Sequence, residues 1–171
     1  MPRLLPMTAG VFPILLLLLV ASVPVRSEPA AEKASGNPFD QLKGDWTGGG
    51  VVTPSKGGTE KVDCKVTYTP AGSTITQALL CTGADNRFDA TTKFKYKNGK
   101  ISGSWLETTF DASGSISGSA TGDLVHARIS GDKFSGRMSI KVSDSGHTIN
   151  IVQLDNKSGA YHLAASFSLH R

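Results

Sequence analysis

From Phe39 to the C-terminus, apolar and polar residues alternate with a period of two, and no stretch of ten or more carries a helical stripe. In Lys61 to Tyr68, the residues Val62, Cys64, Val66 and Tyr68 share one face, while Lys61, Asp63, Lys65 and Thr67 share the other. The same reading puts Ile75, Gln77, Leu79 and Cys81 together, then Phe88, Ala90, Thr92, Phe94 and Tyr96, then Ile101, Gly103, Trp105 and Glu107. Further on, Val125, Ala127 and Ile129 face inward, as do Met138, Ile140 and Val142, then Ile149 and Ile151. The last segment aligns Tyr161, Leu163, Ala165, Phe167 and Leu169. With strands around Trp46 and Ile116, the pattern predicts an all-β fold of about ten strands.

Short turn signals separate the segments, and Asn98-Gly99 is the strongest of them, because both residues tolerate the positive φ that a two-residue hairpin turn needs. So many short strands joined by short turns predict an up-and-down antiparallel β-barrel, since closure removes the exposed edges of a long meander. An open two-sheet sandwich is the alternative. The lysine-rich face opposite the apolar one is the reverse of a transmembrane barrel, which is apolar outside and polar within.

The two cysteines, Cys64 and Cys81, are centred on a point between Gly72 and Ser73. A hairpin turning at Ala71 to Thr74 places them opposite each other, within disulfide reach. The pair is therefore expected to be a structural disulfide, which implies an oxidising compartment.

The N-terminus agrees with that. After Met1-Pro2-Arg3 the chain runs uncharged from Leu4 to Val25 around an apolar core, and small residues precede Ser27. This predicts a secretory signal peptide over 1–27, cut after Ser27. An uncleaved anchor helix is the rival, disfavoured by Pro6, Pro13 and Pro24. Residues 28–40 read as a flexible arm and 41–171 as the barrel domain, with no membrane span left after cleavage. Without Arg3 and Arg26 the net charge falls from +4 to +2, too little for a nucleic-acid footprint. A monomer is expected.

Gly44-Asp45-Trp46 opens the first strand, a meander follows, and Arg171 ends the last strand. In these features the chain resembles the calycin group of small barrels, which includes lipocalins and avidin-type proteins. It also resembles secreted alphaproteobacterial proteins with an L-x-G-x-W…C…C…ISG-x-W layout. The resemblance covers about residues 40–171 and implies structural roles for Gly44, Trp46 and Arg171. Trp46 would lie across a closed end of the barrel, with Arg171 packed on its ring as a cation–π contact.

Candidate chemistry is sparse. His162 and His170 are about 26 Å apart at about 3.3 Å per residue, too far to share a metal. His126 and His147 are read as outward, so no inward histidine is expected to hold a haem. No Gly-x-Ser-x-Gly elbow occurs. No catalytic residue, metal site or cofactor is expected, and the chain is read as a non-enzyme.

The inward polar and aromatic residues Gln77, Tyr96, Trp105, Glu107 and Tyr161 are the candidate ligand-binding set, suited to orienting a small, partly apolar molecule. Glu107 has a competing structural reading at a strand end. The row Lys93, Lys95, Lys97 and Lys100 reads as a solvated face that also guards against aggregation. The functional expectation is a periplasmic or secreted binding barrel. The alternatives are a protein-binding module, such as a periplasmic protease inhibitor acting through residues 28–40, or a filled structural barrel.

Overall fold

A computed structural model of the chain describes residues 37–54 and 58–171. The predicted signal segment 1–27 and most of the arm lie outside the described residues. Ten strands follow in chain order: β1 (Gly44–Val52), β2 (Glu60–Ala71), β3 (Thr74–Thr82), β4 (Arg87–Lys97) and β5 (Lys100–Glu107), then β6 (Ala112–Thr121), β7 (Leu124–Gly131), β8 (Gly136–Val142), β9 (Gly146–Leu154) and β10 (Tyr161–His170). Each pairs antiparallel with its neighbours in sequence, and β1 pairs with β10, so the sheet closes into a calycin-like barrel. The open sandwich is thereby set aside.

Closure depends on close approach between β1 and β10. A Cβ at Gly48 or Gly50 would collide with the carbonyls of Ser168 and Ser166, so only glycine lets these strands meet. The expected hairpins form as read. Asn98 and Gly99 take φ of 51° and 73° between β4 and β5, and Gly72 takes 61° between β2 and β3. Cys64 lies directly opposite Cys81, and the two are joined by a disulfide.

One end of the barrel is plugged. A 3-10 turn over Pro38–Asp40 carries Phe39 into the core, where its ring stacks on Phe94 with centroids 5.2 Å apart. Phe39 and Leu42 are buried, so the plug begins before residue 41 and includes the end of the segment read as an arm. Trp46 is also buried, and its indole N–H donates to the Leu42 carbonyl at 2.7 Å. The Arg171 guanidinium lies 4.4 Å from the Trp46 ring centroid and donates to the carbonyls of Gln41 and Lys43. The first and last described segments are thus tied together at the closed end, as the resemblance implied.

Two inward–outward assignments need correction. The pairing of β10 with β9 shifts between Leu163 and Ala165, a β-bulge. Beyond it Ala165, Phe167 and Leu169 are buried as expected, whereas Tyr161 and Leu163 are exposed. One extra residue reverses which face every earlier side chain occupies. His147, expected outward, is buried beside Ile149, on the inward alternation of β9.

Candidate functional site

The barrel interior is not filled. A cavity of about 360 Å³ opens at the end opposite the plug, a size suited to a small ligand. Its walls are mostly aliphatic and include Val62, Leu79, Ile116, Ile129, Met138 and Ile149. Period-two alternation places these side chains inward on β2, β3, β6, β7, β8 and β9. Around the mouth stand Pro54, Arg87, Phe110, Lys133, Phe134 and Gln153.

A transverse row of paired residues crosses the cavity's lower wall: Tyr68 opposite Gln77, Gln77 opposite Thr92, and Thr92 opposite Trp105. Gln77, Thr92 and Trp105 line the cavity. The Trp105 ring occupies room left by Gly131, where a Cβ would sit 2.7 Å from its Cζ2. The Trp105 indole nitrogen is buried without a hydrogen-bond partner, an uncommon state for a polar atom.

Below the cavity, Gln77 Nε2 donates to the Tyr68 hydroxyl at 2.8 Å, and that hydroxyl lies 3.1 Å from His147 Nε2. With Gln77 donating, the single phenolic proton is left for His147 Nε2, which places the imidazole proton on Nδ1. Nδ1 is buried and unpartnered. Burial holds the Tyr68 phenol well above its ordinary value. Burial, and then the positive charge of Arg171, lower His147 to about 4. Its ring meets Trp46 edge-on with centroids 4.7 Å apart. A hydrogen-bonded chain therefore runs from the cavity wall to the plug, and only Gln77 of its members touches the cavity.

Of the five candidate ligand-binding residues, Gln77, Trp105 and Glu107 come together at the cavity. Tyr96 does not; it stands at the closed end, edge-on to Phe39 with centroids 6.2 Å apart. Tyr161 lies on the outside because of the bulge, with the Arg137 guanidinium 4.4 Å from its ring centroid. Glu107 is buried, and its carboxylate accepts from the backbone N–H groups of Asp89 at 3.1 Å, Thr109 at 2.9 Å and Phe110 at 2.7 Å. Those bonds offset the cost of its burial and fix the β5–β6 loop that carries Phe110 to the mouth. The structural reading of Glu107 is the one the geometry favours.

Two residues of the mouth were missed from sequence. Phe110 and Lys133 lie in loops, where alternation carries no information, whereas Phe134 continues the inward alternation of Met138 and Ile140. Lys133 donates to the carbonyls of Phe110 and Asp111 in the neighbouring β5–β6 loop, at 3.2 and 2.6 Å. Arg87 pairs with Asp89 at 3.2 Å. Among the described residues no cluster of His, Cys, Asp or Glu has the geometry of a metal site.

No family model matches the chain, and no curated protein matches it. Solved structures do. Rv2717c from M. tuberculosis superimposes with a TM-score of 0.65 at 11% identity, over 80% of this chain and 98% of that one. The S-type phycobiliprotein lyase CPES from Guillardia theta gives a TM-score of 0.52 at 14% identity, over 77% of this chain and 88% of that one. These likenesses establish a shared fold.

Proposed function

We propose that the chain is a non-enzymatic binding protein that holds a small, partly apolar ligand in its barrel, and that it works in the periplasm or outside the cell. The cavity carries this reading. A barrel with a purely structural role has no need of about 360 Å³ of open, aliphatic-walled space. Gln77 and Thr92 supply a polar contact at the wall, and Arg87 and Lys133, each paired with an aspartate, border the rim. Such a site suits a molecule with an apolar body and a polar end. The non-enzymatic part is supported by the ionisable groups themselves. Glu107 is held by three backbone N–H groups, and His147 lies behind Tyr68, off the cavity. Export is supported by the apolar N-terminal run and by the disulfide. A monomer is supported by closure of the sheet, which leaves no free edge.

Native mass spectrometry of protein purified from its own host, together with titration of the dye 8-anilinonaphthalene-1-sulfonate, tests the reading. A retained small molecule, or saturable dye binding that Met138→Trp abolishes without unfolding the barrel, is the expected result. Dye binding that is unchanged in Met138→Trp refutes occupancy of the cavity.

A further inference from the structure

The outer surface of the barrel is divided by charge. From Lys93 on β4 across β5, β6 and β7 to β8, the outward positions hold no carboxylate and no Phe, Tyr or Trp. They hold eight serines instead. Lys93, Lys95, Lys97 and Lys100 line one border of this wall. Arg128, Arg137 and Lys141 line the other. Tyr161, on β10, stands beyond that second border with its ring already covered by Arg137. At about 4.8 Å per strand the wall is about 19 Å across.

The pairing register orders these groups into rows. Lys95 stands opposite Ser102, Ser102 opposite Ser117, Ser117 opposite Arg128, and Arg128 opposite Arg137. A second row runs Lys93, Ser104, Ser115, Ser130. Two arginines facing each other across an antiparallel pair repel, a cost that an anion between them removes. The ion pairs among the described residues are Arg87–Asp89 and Lys133–Asp111, and neither involves a cation of the wall. Asp123 and Asp132 lie in turns at the two ends of β7, outside the outward positions of the wall. At the arginine border lies a shallow, open depression bordered by Ser117, His126, Arg128 and Arg137.

We propose that this wall docks an acidic polysaccharide, with the Arg128–Arg137 depression taking one sulfate, phosphate or carboxylate substituent. The serine rows meet sugar hydroxyls as both donors and acceptors, and the two cationic borders meet further acidic groups along the chain. A single-stranded nucleic acid would call for stacking aromatics, which the outward positions of the wall lack. The surface is separate from the cavity and acts whether or not the cavity is filled.

The test uses the purified chain with dextran sulfate as probe, neutral dextran of equal length as its control, and about 150 mM salt to suppress diffuse attraction. Dextran sulfate should bind and neutral dextran should not. The double variant Arg128→Ser/Arg137→Ser should bind at least about tenfold more weakly, as the loss of one charge-assisted contact already entails. Ser104→Ala/Ser115→Ala should weaken binding about threefold, as loss of a neutral hydrogen bond does. Lys61→Ser/Lys65→Ser, which removes the same charge from β2, should leave binding within about twofold, since those lysines lie off the wall. Unchanged melting temperatures establish that each variant is folded. Equal losses in the arginine and β2 variants would overturn the proposal, as would single-stranded DNA of matched charge binding as tightly as dextran sulfate. An unaffected serine variant would overturn the part assigned to the hydroxyls.

Discussion

The two ends of the barrel are built on opposite principles from one continuous sheet. At the closed end every large group has a specific partner: Trp46 bonds Leu42, stacks under Arg171 and meets His147, while Phe39 packs on Phe94. At the open end the inner walls face empty space, and Phe110 stands exposed at the mouth. Stability is therefore concentrated where the chain's first and last described segments meet. The open end keeps the cavity that the proposed ligand would occupy. Protein interiors are ordinarily close-packed, so a void of this size sets the open end apart from the plug.

Substitutions at the two ends should therefore differ in cost. Trp46→Ala should have the largest effect, about 3–5 kcal/mol of unfolding free energy, because the plug cannot collapse around the loss. Chemical denaturation would measure it, and an unchanged midpoint would break the contrast between the ends. Cys64→Ser/Cys81→Ser should cost about 3 kcal/mol in the loop-entropy model for a separation of 17 residues. The same experiment on oxidised and reduced wild type should give a matching difference.

His147 makes the closed end sensitive to acid. Its folded value of about 4 lies below its unfolded value, so the unfolded chain takes up a proton first as pH falls. Its contribution is complete above about pH 6.5 and is lost progressively down to about pH 4. The loss is at most about 3.5 kcal/mol, since each tenfold difference in proton affinity between the folded and unfolded chain is worth about 1.4 kcal/mol. His147→Gln should flatten that part of the stability-versus-pH curve; a curve of unchanged slope would show that another group titrates there. Ile129→Ala, on the cavity wall, should be mildest, below about 2 kcal/mol, because one side of Ile129 already faces open space. A cost equal to that of Trp46→Ala would mean that the open end is as tightly packed as the plug.

Much of the fold was legible because a strand's two faces are a local property. Val62, Cys64, Val66 and Tyr68 alternate inward whatever they meet later, and Asn98-Gly99 forms its turn from its own φ preferences. The disulfide was legible as well, since hairpin symmetry about Gly72 and Ser73 fixes which residues face each other. The site was less so. Gln77, Trp105 and Glu107 were placed at the cavity by alternation alone. Tyr161 was misplaced because a single-residue bulge leaves no mark in an apolar–polar pattern. Tyr96 was on the correct face, but a face does not say at which end of the barrel a residue stands.

His147 shows where local reading stops. Its place on β9 beside Ile149 turns it inward, against the reading from sequence, and its basicity is depressed by burial and then by Arg171, a residue remote from it along the chain. By itself the sequence determined the strands, most of their inward faces, the turns at Gly72 and at Asn98-Gly99, and the cysteine pairing, because these follow from backbone periodicity and short-range geometry. Only the tertiary structure decided between a closed barrel and an open sandwich, set Phe39 in the plug beside Trp46, and left a cavity at the other end. Closure and cavity volume are sums over ten strands, and a sum of that kind is set by how the side chains meet.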